Sequence, residues 1–450
     1  MTAGVSATTP EVDLALERQI FRKLVTRLFP LLIVGIFVAY MDRANLGVVK
    51  APMSEDLGLN ATAFGLAAGI FYLGYLLFEV PSNIAMEKFG ARIWLARIMI
   101  SWGLVTTIMM FIGGPMSLNI TRFLLGVAEA GFYPGIVLYL TFWFPARLFP
   151  RALSTFQVGI PVALAVTTLL SSSLLLLDGV FGIAGWRWVF LAQGVVTLLL
   201  GAVFLAFLPN SPKDAKWLTQ QEKDYLAAHV PASERGSSHG PGAFRSVLRS
   251  AWAWVYALLY FSILLAFWSI TYWLPTVIQE TFEVGAVKAG FISSIPWVFC
   301  ALVMVALGIS SARTGDRRWH LIACLLIGGV GLLASTMMDS PILVLIALCF
   351  AAAGSQSGCP LFYSQTTSVF MGAIAAVAIA FINSLGNISG FVGPYIIGLL
   401  VDLTGDTRVG LMCMSGVFVV AAVLAYVVTG KSASRPITLS SSSPESRARR

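Results

Sequence analysis

Long apolar stretches recur along this chain with short polar breaks between them, and each is close to the ~20 residues a helix needs to cross a bilayer. They fall at 29–49, 63–86, 91–112, 117–139, 151–177 and 186–208, then at 252–279, 289–311, 319–338, 342–368, 373–401 and 409–430. The spacing predicts an all-α membrane protein of twelve transmembrane helices in two six-helix bundles, 29–208 and 251–430. The segment 209–250 between them is the one long charged loop, and its Gly/Ser/Pro-rich middle reads as a flexible linker. Residues 1–28 read as a cytoplasmic N-terminal segment and 431–450 as a disordered cytoplasmic tail. Ile20, Leu24 and Leu28, with Arg22, Lys23 and Arg27 between them, predict a short amphipathic helix lying on the membrane surface. Glu11, Asp13 and Glu17 precede any apolar run, so no cleavable signal peptide is expected.

Composition agrees with this pattern. Of 450 residues 58% are hydrophobic and only 11% charged, against about 25% charged in soluble domains. Mean hydropathy is +0.84. The net charge of +8 sits in short loops and tails, which speaks for the positive-inside rule and against a nucleic-acid partner. Lys and Arg concentrate in 87–97, 147–151, 313–318, the linker and both tails, whereas the opposite loops are short and hold few basic residues (Lys50, Lys288, Arg408). Both termini are therefore expected in the cytoplasm, which requires an even number of spans. The cysteines (Cys300, Cys324, Cys349, Cys359, Cys413) lie in apolar runs without CxxC spacing and read as small core residues. His229, His239 and His320 fall in loops or at a helix end.

One stretch carries charge where none is cheap. Residues 119–134 (NITRFLLGVAEAGFYP) hold Arg122 and Glu129 in an otherwise apolar run, and burying either in hydrocarbon costs at least ~2.5–3.5 kcal/mol. Seven positions apart, they share a helix face about 10 Å from one another. Gly126, Ala128, Ala130 and Gly131 around them permit close helix approach. A fixed cation and a titratable acid on one buried face suit an anion carrier. The halves also echo one another: NIAMEKFGAR at 83–92 and GISSARTGDRR at 308–318 each follow the second helix of a half, with Gly90 and Gly315 placed 225 positions apart. Two similar halves around a midplane cleft are the plan of a secondary transporter.

These features, with Tyr40-Met41-Asp42-Arg43-Ala44-Asn45, Gly69 to Asn83 (GIFYLGYLLFEVPSN), Ala96 to Gly103 (ARIMISWG), Arg122 to Gly135 (RFLLGVAEAGFYPG), Trp143 to Arg147 (WFPAR) and Gly386 to Pro394 (GNISGFVGP), make the chain resemble the major facilitator superfamily. Within it the chain resembles the anion:cation symporter family of bacterial organic-acid permeases. The resemblance covers nearly the whole sequence. It departs at the second loop motif, where Ala312 stands in place of the usual acid before Arg313, Thr314 and Gly315.

The carboxylates deep in predicted helices are Asp42, Glu79 and Glu129, all in the first half, so proton coupling is expected there. A buried acid whose neighbours change between two states can bind and release a proton. Asp42 and Glu129 are the coupling candidates, and the resemblance places protonatable acids at both; the plainer alternative is permanent pairing with an Arg. Arg122 is the expected substrate anchor, since a guanidinium stays charged and grips a carboxylate through two parallel bonds. The resemblance implies that Arg43 pairs with an acid and gates. Glu79, before Pro81, is expected to meet Lys88, Arg92 or Arg147 at an inner gate. The resemblance makes Asn83, Glu87, Gly90 and Arg92 a conformational latch, echoed by Arg313 and Gly315. Further substrate contacts are expected from Tyr40, Tyr75, Tyr133, Trp268, Tyr272, Asn383 and Asn387, with Tyr72 as another possible hydroxyl donor. Trp273, beside Pro275, reads as an interfacial aromatic.

The expected function is proton-driven import of an organic carboxylate, with an aromatic acid such as a phthalate or hydroxyphenylacetate favoured over a sugar acid or tartrate. No cofactor beyond H+ as coupling ion is expected, and the protein is read as a monomer of the inner membrane. A nucleotide-binding GxxxxGK[ST] is absent, as is any Ser/His/Asp or metal-ligand cluster in the apolar stretches, which argues against an ATP-driven pump or a membrane enzyme. A channel fits two pseudo-equivalent halves less well than alternating access does.

Overall fold

The computed structural model describes residues 14–145, 148–230, 241–370 and 373–430. The expected tail at 431–450, the extreme N-terminus and the Gly/Ser/Pro-rich middle of the linker lie outside the described residues. Helices account for the architecture, with no strand among the described elements: α1 Leu14–Leu57, α2 Ala61–Phe89, α3 Ala91–Ile108, α4 Pro115–Glu129, α5 Phe132–Thr141, α6 Phe149–Gln157, α7 Gly159–Leu175 and α8 Gly185–Phe207 form the first half. In the linker lie α9 Gln220–His229 and α10 Pro241–Arg249. The second half comprises α11 Ala251–Phe282, α12 Ala286–Thr314, α13 Arg318–Met337, α14 Pro341–Gln356, α15 Cys359–Val369, α16 Ala373–Thr404 and α17 Thr407–Val428. Among the described residues 11 spans are long and apolar enough to cross a membrane. The twelfth expected crossing is the pair α6/α7, whose apolar part, Gly159–Leu175, is shorter than the rest.

Three expectations change. The amphipathic segment is not a separate surface helix, because α1 runs unbroken from Leu14 to Leu57 through Pro30 and Pro52. Ile20, Leu24 and Leu28 are buried, and the neighbouring Phe21 and Phe29 rings pack edge-on to Phe144 at 5.7 and 5.9 Å. The linker is not loop throughout. Its helix α9 starts with a reciprocal capping box between Thr219 and Glu222 and docks on α1, where Lys23 Nζ and Gln19 Nε2 donate to Glu222 Oε1 at 2.6 and 3.0 Å. Burial pushes the Glu222 carboxyl up, but the Lys23, Thr219 and Gln19 hydrogen bonds outweigh it and hold the group below the usual range. The docking is thus complete above the ordinary carboxylate range and weakens as pH falls through the lowered value. Finally, the fourth crossing is broken: α4 ends at Glu129 and α5 begins at Phe132, with Gly131 between them in the left-handed region at φ 84°.

Glycines set the closest approaches. A Cβ on Gly126 would collide with the Phe71 carbonyl, and one on Gly74 with that of Phe123, so α2 and α4 cross backbone to backbone. Gly126→Val is expected to lower the melting temperature of detergent-purified protein, since overpacking costs ~1–3 kcal/mol where neighbours can shift and a carbonyl shifts little. A melting curve matching the wild type would refute this packing.

The two halves meet chiefly through α2 and α16, at the side opposite the linker. A Cβ on Gly65 would overlap Pro394 O, and one on Gly398 would overlap Ala61 O. Asp402 then clamps the start of α2, its Oδ1 and Oδ2 accepting from Ala61 N and Thr62 N at 3.1 and 2.8 Å. Lys50 Nζ of α1 sits 3.6 Å from the Trp273 ring centroid and Phe64 of α2 packs edge-on to it at 5.9 Å, so Trp273 of α11 is fully buried between the halves and not in an interfacial belt.

Candidate functional site

The charged residues of the first half converge between α1, α2, α3 and α4. Asp42 and Arg43 leave α1 in different directions, as neighbours about 100° apart on a helix do. Arg43 turns to α4, where its Nε and Nη2 donate to Glu129 Oε1 at 2.9 and 2.5 Å. Aromatic rings enclose this guanidinium: its Cζ lies 5.0 Å from the Tyr75 centroid, 5.2 Å from Phe71, 5.6 Å from Tyr40 and 5.7 Å from Trp268. Rings at this range offer their negative faces to a cation. Asp42 turns to α3, where Trp102 Nε1 and Thr106 Oγ1 both donate to its Oδ2, the latter at 3.0 Å.

Arg122 is fully buried yet only its Nε is used, donating to Ala67 O at 3.2 Å. Neither Nη1 nor Nη2 has a hydrogen-bond partner, and neither do Asp42 Oδ1 and Glu129 Oε2. The face shared by Arg122 and Glu129 therefore does not make an ion pair between them. Glu129 goes to Arg43, leaving the forked end of Arg122 free. A buried cation with two unused donors is costly unless an anion completes it.

Across the interface the second half supplies aromatics and amides. Trp268 stacks on Tyr40, with centroids 6.1 Å apart and planes 10° from parallel. It also lies 5.0 Å from Tyr72, and its Nε1 is buried without a partner. The Tyr72 and Tyr272 hydroxyls are 3.4 Å apart. Asn383 and Asn387 share a face of α16 but serve different partners. Tyr363 Oη donates to Asn383 Oδ1 at 2.6 Å and pairs with Tyr260 Oη at 2.8 Å, whereas Asn387 Nδ2 donates to Glu79 Oε2 at 3.3 Å. Glu79 thus reaches across to the second half instead of to Lys88 or Arg92, because it sits on the face of α2 that packs against α16; the third expected partner, Arg147, lies outside the described residues. Tyr133 stacks on Phe156, with centroids 6.5 Å apart.

The loop motifs end in the expected turns, with Gly90 at φ 86° and Gly315 at φ 69°, conformations that glycine adopts at no steric cost. Arg92 ties this turn to the end of α8, donating from Nε to Leu205 O at 2.5 Å and from Nη2 to Ala206 O at 3.3 Å, while Asn210 Oδ1 accepts from its backbone N. Glu87, Lys88 and Arg313 are exposed, and no ion pair joins them to other described residues. In the second loop Asp316, not position 312, supplies the acid: its Oδ1 accepts from Arg318 N and Trp319 N at 3.0 and 3.2 Å and caps α13.

Sequence reasoning had missed several of these residues. Phe71, Trp102, Thr106, Tyr260 and Tyr363 carry ring or hydroxyl contacts of the site but read as core in an apolar run. Asn45 donates to Gln193 Oε1 at 2.5 Å, and Gln193 donates to Ser171 at 2.9 Å. Buried amides in predicted spans were the available signal for that chain.

Two pseudo-symmetric helical bundles enclosing buried ionisable groups define a multi-pass membrane transporter. Residues 32–394 match the family model of the Major Facilitator Superfamily, and the chain belongs to that superfamily. A putative tartrate transporter of Agrobacterium vitis is 40% identical over 417 residues, covering 93% of each chain. A quinolone resistance transporter of Acinetobacter baumannii is 36% identical over 416 residues, 92% of this chain and 96% of that one. Among solved structures, a bacterial homologue of the human lysosomal transporter Spinster, in an inward-facing and unoccupied conformation, superposes with a TM-score of 0.73 at 15% identity, covering 92% of this chain and 97% of that one.

Proposed function

We propose that this transporter imports an organic carboxylate by proton symport, with Arg122 as the anchor for the carboxylate and Asp42 and Glu129 as the proton-coupling acids. The observation that carries the reading is the guanidinium of Arg122, buried with both terminal nitrogens unused. A planar fork of two unused donors matches a carboxylate in charge and geometry. Arg43 is the gating cation, held by Glu129 in this state, and protonation of Glu129 would release it. Tyr40, Tyr75, Tyr133, Trp268, Tyr272, Asn383 and Asn387 form the remainder of the cleft wall, and Glu79 links it to α16. Glu87, Lys88, Gly90, Arg92, Arg313 and Gly315 belong to the helix ends and glycine turns that move with the halves. The protein works as a monomer in the inner membrane with both termini cytoplasmic. On that orientation the close contact of the start of α2 with the end of α16, clamped by Asp402, is the outer gate.

The rings around Arg43 support an aromatic acid as substrate. A hydroxy acid is the second reading, favoured by the 40% identity to a putative tartrate transporter. Counterflow in proteoliposomes with matched carboxylates and their amides tests the anchor. Exchange of a carboxylate but not its amide is expected, and equal exchange of both would remove the role of Arg122.

The outer gate gives a separate prediction. Asp402→Ala removes both acceptors at the start of α2, and hydrogen bonds to a charged group contribute ~1.5–3 kcal/mol. The closed population should fall, and maleimide labelling of a cysteine placed at Ala68, one turn from Gly65, should quicken by about tenfold. Unchanged labelling in a Cys413→Ser background would mean that Asp402 does not hold the gate.

A further inference from the structure

We infer that Trp102 is a positioning residue for proton coupling, which holds Asp42 in one carboxyl orientation and links it mechanically to Glu129. The inference rests on the coupling reading above. Asp42 is buried in the first half with no salt bridge among the described residues, so two neutral donors do the work that a cation would otherwise do. Both come from one face of α3 at helical spacing i, i+4, Trp102 Nε1 and Thr106 Oγ1, and both go to Oδ2. Oδ1 has no partner. That division of labour suits a carboxyl that changes protonation in place: a proton taken from water binds Oδ1 and later leaves from it, while Oδ2 accepts from the same two donors throughout. No rotation of the carboxyl is required.

The link to Glu129 runs through packing. The Trp102 ring is fully buried and meets Phe132 edge-to-face, with centroids 5.0 Å apart and planes at 78°. Phe132 is the first residue of α5, directly after the break at Gly131, and Glu129 is the last residue of α4. The Gly131 position admits no larger residue without meeting Ser82 of α2. A change in the Glu129–Arg43 pair that moves the end of α4 therefore moves Phe132 against Trp102, and Trp102 against Asp42. Of the charged groups around Asp42, Glu129 and Arg122 of α4 are the ones within electrostatic reach, while Arg43 is turned to Glu129. One aromatic side chain thus touches both Asp42 and the start of the helix that follows Glu129.

Trp102→Phe keeps the ring against Phe132 and removes the N–H; Thr106→Val removes the second donor with little change of shape. Both, with wild type and Asp42→Asn, are reconstituted in proteoliposomes, and gradient-driven uptake is compared with counterflow across a pH series. For Trp102→Phe the ratio of driven uptake to counterflow should fall about tenfold, the loss of one hydrogen bond to a charged group. The pH midpoint of driven uptake should rise by about one unit as the charged carboxylate loses a donor. Thr106→Val should move both quantities in the same direction by less. If both variants overlay the wild type while Asp42→Asn is uncoupled, Trp102 has no positioning role and the coupling reading survives. If wild type and Asp42→Asn alike show no gradient dependence, the coupling reading falls and this inference with it.

Discussion

Arg122→Gln is expected to abolish substrate binding, weakening affinity by about 100-fold or more, the scale of losing charge-assisted hydrogen bonds in a dry site. The expectation follows from how Arg122 is placed. Its Nε is spent on Ala67 O, which fixes the plane of the guanidinium on α2, and the Phe71 ring lies 5.0 Å from its Cζ. The two terminal nitrogens are left pointing away from those contacts with nothing to bond. Arg122→Lys keeps a charge but loses the fork, so it should recover only part of the affinity. Binding measured by tryptophan fluorescence quenching in detergent separates the variants, because Trp268 packs against Tyr40 and Tyr72 and lies 5.7 Å from Arg43. Wild-type affinity in Arg122→Gln would show that Arg122 is a structural residue of the α2–α4 crossing.

Glu129→Gln carries the second large effect: counterflow should persist while gradient-driven accumulation is lost. Gln cannot take up a proton at any working pH, and the neutral amide attracts Arg43 less than the carboxylate does. The variant therefore mimics the protonated state in which the Arg43 gate is released. Exchange needs only that the site alternate with substrate bound, whereas accumulation needs proton release on the inner side. Measuring both on one preparation distinguishes uncoupling from misfolding, which would remove both. If Glu129→Gln accumulates substrate normally, Glu129 serves only to hold Arg43.

How much of this was legible in the sequence depends on the length scale of each interaction. The crossings follow from apolar length, a local property, and the structure's spans match the apolar stretches closely. The α4/α5 break was present as Gly131 followed by Pro134, a stop-and-restart signal inside what read as one span. The buried charges announced themselves by their cost. Their partners did not. Arg122 and Glu129 share a helix face, but the partner of Glu129 is Arg43, 86 positions earlier, and helical periodicity says nothing about contacts between helices. Glu79 was assigned to basic residues near it in sequence and instead meets Asn387 of the other half. Trp102 was invisible for a different reason: an indole in an apolar helix reads as core, and only the position of Asp42 makes its N–H matter. The run at Ile20, Leu24 and Leu28 had the right periodicity and the wrong environment, since the buried face meets Phe144 and the docked linker helix instead of lipid headgroups.

The central claim is tested most directly by uptake into proteoliposomes of purified wild-type protein. The panel comprises radiolabelled aromatic acids, tartrate and other hydroxy acids, and a fluoroquinolone, each with and without an inward proton gradient. The account predicts that one carboxylate accumulates above equilibrium only with the gradient, and that a protonophore collapses the accumulation. An aromatic acid as that substrate would favour the first reading of the cleft, and tartrate the second. Gradient-independent equilibration of every acid, with no accumulation of any, would contradict proton symport and leave Asp42 and Glu129 without the coupling role given to them.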